Sequence, residues 1–301
     1  MSTRKCQIFT DCDLDGAGAY LVFRWFTQSS CSVKVTRVND VEQDYKSWSK
    51  GKNVSDYDIY FLDLDTSSDE MLNLIDKPNV TIYDHHKSHD SAKSLYKHAK
   101  ICITTYSSTT KLIYNVLSVK YPEIKLTNNQ KLLVVLVDDY DSYKFKIPNS
   151  YELNCLFWNY AGDRLSKFIE DFDTGFFAFT RQHHNIINFY LKKLANTKRS
   201  LNIYTADIPI KGSNYKFIST FADSCINDIA DHIIKEHTAD IGMVVNTKSN
   251  NISFRKQHTC QVDLSKLAQT ICETGGGHEY ASGGTIGDKF MEFSKIFTQI
   301  Q

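Results

Sequence analysis

The sequence has no excess of either charge: 35 lysines and arginines meet 35 aspartates and glutamates over 301 residues. No global positive field therefore draws the chain onto long nucleic acid, and any recognition of phosphate has to be local. Long apolar runs are absent too. Nothing approaches the roughly 20 uninterrupted residues of a membrane helix, and the opening MSTRKCQIFTD has neither the apolar stretch nor the small-residue cleavage site of a signal peptide. The expectation is a soluble, cytoplasmic protein with no membrane partner. There is no CxxC pair: the eight cysteines, at 6, 12, 31, 102, 155, 225, 260 and 272, are scattered, which suits reduced thiols. A zinc site from Cys260, Cys272 and His278 is outweighed by ordinary half-buried cysteines. Internal repeats and low-complexity tracts are also missing. What is present is a hydrophobic content of 42%, enough for a sizeable core at a length that favours two domains over one.

The first half alternates short apolar strands with amphipathic helices, the pattern of a doubly wound, mostly parallel α/β sheet. The expected strands are CQIFT, SVKVTRV, DIYFLDL, VTIYD and KICIT. Helices are expected at GAGAYLVFRWFTQ, SDEMLNLID (with Ser68 as cap), STTKLIYNVLS and NNQKLLVVLVDD. NIINFYLKKLANTKRSL reads as a connecting helix. Beyond it, strands near NYKFIST, IGMVVNT and NISFRK, with helices near CINDIADHIIKEH and DLSKLAQTICE, predict a second, smaller α/β unit. The expected division is a catalytic domain over 1–184, a connector over 185–204 and a second domain over 205–301.

Four acidic motifs fall at the ends of these elements. In DCDLDG, Asp11, Asp13 and Asp15 alternate along an extended segment and so share one side, while Gly16 permits a sharp turn. FLDLD places Asp63 and Asp65, and YDHHKSH places Asp84, His85 and His86, where strands end. The carboxyl ends of parallel strands converge on one crevice. Clustered carboxylates repel, so some would protonate at neutral pH unless a hard divalent cation held them. An aspartate before a histidine pair can orient one ring while another ligates metal. In LVDDYD, Asp138, Asp139 and Asp141 end an apolar helix, where negative charge costs about 0.3–1 kcal/mol unless a cation is near. His183, His184, His232 and His237 take the ordinary structural default.

The ordered set DCDLDG, FLDLD, YDHHKSH and LVDDYD resembles the four motifs of the DHH (Asp-His-His) phosphoesterase superfamily. ISFRKQ, VDLSKLAQ and GGGHEYASGG resemble the associated C-terminal domain, so the resemblance spans nearly the whole chain. It implies two divalent ions, manganese first and magnesium or cobalt next. Asp13 and Asp15 would ligate them separately, Asp63 would bridge them, and His85 with Asp139 would complete the second site. Asp138 is the alternative to Asp139, and Asp11 is a less certain ligand, standing where some members carry an upstream histidine. Asp84 would orient a histidine and His86 would sit near the scissile phosphate. In the second domain, Arg255, the backbone of Gly275, Gly276 and Gly277, and His278 would grip a substrate phosphate.

The implied activity is metal-dependent phosphodiester hydrolysis of short oligonucleotides, nano-RNase-like, from the 5′ end with release of nucleoside monophosphates. A RecJ-like single-stranded DNA exonuclease, a cyclic-dinucleotide phosphodiesterase, an exopolyphosphatase and an inactive nucleic-acid-binding scaffold are the competing readings. Zero net charge, and no further nucleic-acid module after GGGHEYASGG, favour short substrates.

Overall fold

The computed structural model describes residues 4–28, 30–277 and 279–300. The chain divides into two compact units, Met1–Ile187 and Asn188–Gln301. In the first, β1 (Lys5–Asp11), α1 (Leu14–Thr27), β2 (Ser32–Thr36), α2 (Val41–Ser49), β3 (Tyr57–Leu62), α3 (Asp69–Ile75), β4 (Val80–Asp84), α4 (Lys87–Ala92) and β5 (Lys100–Ile103) alternate. Then come α5 (Thr109–Lys120), α6 (Asn128–Asp141), α7 (Ser150–Trp158) and α8 (Arg164–Phe172). The strands are all parallel, in the order β2-β1-β3-β4-β5. The winding direction therefore reverses between β1 and β3, the switch point beyond whose strand ends such sheets bind ligands.

Neighbouring residues of a strand point to opposite faces, and both faces here are covered, which explains why the strands read as apolar runs. Ile8 and Leu62 join the core beneath α1, α5, α6 and α7. Phe9, Ile59 and Phe61 join a second core with Val41, Tyr45 and Met71 on the other side. Phe9 and Phe61 stack with ring centroids 5.1 Å apart. Helix starts follow the capping chemistry: Ser68 accepts from the amide of Met71, Ser108 from that of Lys111, and Thr127 forms a reciprocal capping box with Gln130.

Two sequence expectations need correction. In this unit helices α2, α4, α7 and α8 go beyond the sequence expectation, although Leu165, Phe168 and Phe172 of α8 lie buried at helical spacing. The thiols are not all reduced either, because Cys6 and Cys31 form a disulfide. β1 and β2 run side by side with Gln7 opposite Ser32, which brings the preceding cysteines together although 25 residues separate them. Sequence spacing alone does not show that proximity.

Helix α9 (Arg181–Lys198) crosses the division between units. The second unit continues with β6 (Tyr204–Ile210), β7 (Ser213–Phe221), α10 (Ile226–His237), β8 (Ile241–Asn246), β9 (Asn251–Lys256), α11 (Leu264–Ile271), β10 (Gly275–Gly277), β11 (Ala281–Thr285), α12 (Asp288–Ser294) and β12 (Thr298–Gln299). Its strands form a mixed sheet in the order β10-β11-β9-β8-β7-β6-β12, in which β7 and β8 are parallel and the other pairs antiparallel. Helix α10 packs one face around Ile229 and Ile233, and α11 the other around Leu264 and Ala268. Among the described residues no helix is long and apolar enough to cross a membrane.

Candidate metal centre

The loop from β1 into α1 sets three carboxylates at the switch point. Asp13 caps α1, its Oδ1 accepting from the Gly16 amide at 2.9 Å. Gly16 is needed for space rather than for a turn, since a Cβ there would lie 2.4 Å from the Asp11 carbonyl oxygen. Asp15, fully buried in the first turn of α1, turns both carboxylate oxygens to the start of α5, accepting from the amides of Thr109 at 2.7 Å and Thr110 at 2.9 Å. The positive end of that helix helps to hold its charge.

Asp63 follows β3 directly and adopts φ +59°, an uncommon left-handed conformation for a residue with a side chain. Its amide donates to the Tyr83 carbonyl at 2.9 Å, and its Oδ1 accepts from the Thr109 hydroxyl at 3.0 Å. Strained backbone of this kind persists where the surroundings over-determine it, and such places are often functional.

At the end of β4, Asp84 is completely buried and serves two histidines. Its Oδ1 lies 2.7 Å from Nδ1 of His86, and its Oδ2 lies 2.5 Å from Nδ1 of His89. Burial alone would raise the Asp84 carboxyl, but the charge of His86 and the hydrogen bonds from both rings hold it well below the usual range. His89 Nε2 accepts from the Thr66 amide at 3.0 Å, so Nδ1 is the protonated nitrogen of that ring and donates to Asp84. His89 is the residue that the sequence reading passed over. It stands within YDHHKSH, and its signal is its position three residues past the histidine pair, on the first turn of α4.

His85 occupies the centre. Its Nε2 is 3.3 Å from Asp63 and 3.9 Å from Asp15, and its Nδ1 is 3.4 Å from Asp141. Ligand atoms within 4.8 Å of one another come from three sets: Asp11, Asp13 and Asp63; Asp63, His85 and His86; and Asp15, His85 and Asp141. Asp63 belongs to two of the sets, and so does His85. His86, expected beside the phosphate, lies within reach of a ligand role as well.

The fourth motif is where the structure departs from expectation. Asp139 does not join these sets. Its carboxylate accepts from the amides of Lys146 and Ile147 at 3.0 and 3.1 Å and from the Ser150 hydroxyl at 2.7 Å, tying the end of α6 to the next loop. Asp138 also turns elsewhere, to the Ser108 amide at 2.9 Å and to Lys144 at 3.0 Å. The member that reaches the centre is Asp141. At 3.6 residues per turn, positions two apart on a helix point about 200° apart, so Asp139 and Asp141 cannot serve one site together.

The electrostatics fit a cation. Burial first and Asp13 second push the Asp11 carboxyl up to about 7, and burial with Asp15 pushes Asp141 up to about 8. Asp13 and Asp63 are raised for the same reasons, burial leading. Burial disfavours the charged form of His85, yet Asp141 and Asp63 raise it well above the ordinary imidazole value. Oδ2 of Asp141 is buried and, apart from its 3.4 Å ion pair with Nδ1 of His85, makes no hydrogen bond among the described residues. An unsatisfied buried carboxylate oxygen costs free energy, and a divalent ion would satisfy it. Mixed carboxylate and imidazole donors suit manganese or magnesium better than a thiolate set would.

In the second unit, Arg255 of β9 stands opposite Ala281 of β11, half-buried, with an Nη1 donor 2.8 Å from the Phe254 carbonyl. Gly275, Gly276 and Gly277 form an edge strand rather than a loose turn, paired with Gly284, Gly283 and Ser282. A Cβ on Gly275 would lie 2.1 Å from the Ala268 carbonyl oxygen, and Gly277 has φ +124°, whereas Gly276 faces open space. Of the three, Gly276 is the one at which a Cβ would meet no neighbour. His278 lies outside the described residues. Cys260 and Cys272 are buried free thiols. A lysine not singled out from sequence, Lys256, buries its ammonium against the Val262 carbonyl at 2.7 Å, Glu279 at 3.2 Å and the Tyr280 ring, bracing the stretch after the glycines.

No family model and no curated protein sequence matches the chain. Solved structures do. A pGpG-specific phosphodiesterase, PggH from Vibrio cholerae, aligns at a TM-score of 0.57 and 13% identity, covering 97% of this chain and 96% of that one. An exonuclease RecJ bound to manganese aligns at 0.56 and 11%, covering 97% and 88%. An exopolyphosphatase-related protein from Bacteroides fragilis aligns at 0.52 and 15%, covering 98% and 90%. The chain shares their two-unit α/β fold.

Proposed function

We propose that the chain is a two-metal phosphoesterase that hydrolyses short oligonucleotides stepwise from the 5′ end, releasing nucleoside monophosphates. The observation that carries this reading is Asp63, a strained carboxylate at the switch point shared between an all-carboxylate set and a carboxylate-imidazole set. That arrangement suits two neighbouring cations with one bridging ligand. Asp11 and Asp13 would complete one site, and Asp15, His85 and Asp141 the other, so Asp141 takes the place expected for Asp139. Bound there, a pair of divalent ions supplies the charge that an anionic phosphodiester and its attacking water need for in-line displacement.

The chain's own residues supply orientation and protons. Asp84 fixes the His86 ring by holding Nδ1–H, and Thr66 and His89 fix Asp84 in turn, a buried relay of the kind that holds ligands in register. Burial works against charge on His86, but Asp84 raises its basicity. Held through Nδ1, His86 would act through Nε2 on an oxygen of the scissile phosphate. Arg255 and the Gly276 backbone would hold a second phosphate or the chain end, and the sequence motif adds His278 to that role. Balanced net charge disfavours an extended track for long strands, which supports a short substrate.

The test is a hydrolysis screen on purified protein with manganese, magnesium, cobalt or chelator. It compares a dinucleotide, a pentanucleotide, long single-stranded DNA and RNA, cyclic dinucleotides and polyphosphate, labelled at either end where possible. The expected result is manganese-dependent release of monophosphates, fastest on the shortest oligonucleotides and from the 5′ end. Preference for the long strand, or polyphosphate cleavage with inert dinucleotides, would replace the substrate assignment. No turnover of any substrate with any metal would favour the scaffold reading.

A further inference from the structure

A cavity of about 250 Å³ in the first unit has no part in the reaction as described. Its walls include Asp11 and Cys12 of the first motif, Val35 of β2, Phe157 of α7, and Tyr160 and Arg164 at the approach to α8. Asp11 ties this cavity to the metal centre, because the same residue belongs to the ligand set with Asp13 and Asp63. A group lodged in the cavity is therefore next to a phosphate held at the cations.

The wall chemistry narrows what that group is. Val35 and Phe157 are apolar, and the Arg164 guanidinium lies 4.3 Å from the centroid of the Trp158 ring and 5.7 Å from that of Phe157. Cation–π contact of this kind holds a guanidinium in place. Arg164 Nη2 reaches the Cys12 carbonyl at 3.4 Å, so the guanidinium is anchored to the loop that carries the carboxylates. A guanidinium has five N–H donors and the Cys12 carbonyl takes one, which leaves the group competent to read the acceptors on a base edge. Two carboxylates, Asp11 and Asp163, stand in the cavity wall and disfavour a further anion there. The volume lies below the roughly 300 Å³ at which pockets for drug-sized ligands begin, so it suits one heterocycle rather than a whole dinucleotide.

We propose that this cavity is a base subsite: it receives the heterocycle of the nucleotide whose phosphate is attacked, with Phe157 and Val35 against the ring and Arg164 on its edge. The assignment rests on the phosphoesterase reading and sharpens it, since a base subsite selects nucleotides over polyphosphate.

Binding is measured by calorimetry on the full chain with manganese, using adenosine and guanosine 5′-monophosphates against ribose 5-phosphate, which carries the same phosphate and sugar without a base. The wild type binds a mononucleotide about tenfold more tightly or better, the range expected for stacking plus edge recognition. The gap narrows to about twofold in Val35→Phe, which fills the cavity, and in Arg164→Ala, which removes the edge donor. Arg164→Ala decides alone if the filled variant fails to fold. Equal binding of both ligands by the wild type, or an undiminished gap in the variants, overturns the base subsite. Turnover of a dinucleotide and of its 5′-abasic analogue is scored separately. No manganese-dependent turnover of either, with the mononucleotide gap intact, sinks the phosphoesterase reading and leaves the subsite standing. Turnover of both with no gap does the reverse.

Discussion

The carboxyl edge of the parallel sheet and the glycine edge of the mixed sheet bring polar groups to the surface by opposite means. At the first, five carboxylates and two imidazoles crowd together, several of them buried, and burial drives Asp11, Asp13, Asp63 and Asp141 toward protonation. At the second, the polar groups of the glycine run are backbone amides, and close packing against α11 and β11 accounts for two of its three glycines. The difference is that the first edge stores electrostatic free energy that a cation can release, whereas the second stores none and depends on shape. Perturbing the first should change chemistry more than folding, and perturbing the packed glycines of the second should do the converse.

The largest effect expected is from Asp63→Asn. Asparagine tolerates the left-handed backbone at this position, so the fold survives. Loss of the shared charge should reduce manganese-dependent turnover by about three orders of magnitude or more, while apo thermal stability holds or rises because a repelled buried carboxylate has gone. Turnover within tenfold of wild type at saturating manganese counts against a two-metal centre.

Two aspartates on one helix give a sharper contrast. Asp141→Asn should lower manganese affinity and cut activity about a hundredfold with little change in unfolding free energy. Asp139→Ala should leave affinity nearly intact but cost about 1–3 kcal/mol in denaturant unfolding, because Lys146, Ile147 and Ser150 lose their acceptor. The reverse pattern would restore Asp139 as the ligand.

Within the second edge, Arg255→Ala should raise KM about tenfold with a smaller change in kcat, the signature of lost binding rather than lost chemistry. His278→Ala should act in the same direction. Gly275→Ala should destabilise the unit, since its Cβ would collide with the Ala268 carbonyl, and Gly276→Ala should not. Unchanged kinetics in both Arg255→Ala and His278→Ala would remove substrate gripping from this unit.

The smallest effect is a pH dependence confined to the first edge. Asp11 and Asp141 have folded-state values near 7 and 8 against 3.8 for the free group. Between these limits the folded chain binds more protons than the unfolded one, so apo stability falls as pH rises from about 4 to 8. His85, also raised, adds to the fall. Manganese replaces the protons and should flatten the slope, raising the melting temperature by several degrees at pH 8 and little at pH 5. A melting temperature independent of pH without metal, or equal manganese shifts at both values, would show that the carboxylates do not share one electrostatic well.

The strand and helix periods, the capping residues and the spacing of DCDLDG, FLDLD and YDHHKSH were legible because each is a local property of a few consecutive residues. Those signals sufficed for the doubly wound sheet and for Asp11, Asp13, Asp63 and His85 as one group. Three features were not local. Cys6 meets Cys31 because two parallel strands are neighbours in register. His89 matters because a helical turn brings it under Asp84. That Asp141 rather than Asp139 faces His85 depends on which face of α6 meets the sheet, and a run of apolar residues does not specify that face to within one residue. Sequence by itself determined the kinds of groups and the elements that carry them, since propensity and periodicity act over short separations. The tertiary structure alone decided which of several adjacent carboxylates faces His85, because burial and facing distances arise only when distant segments pack.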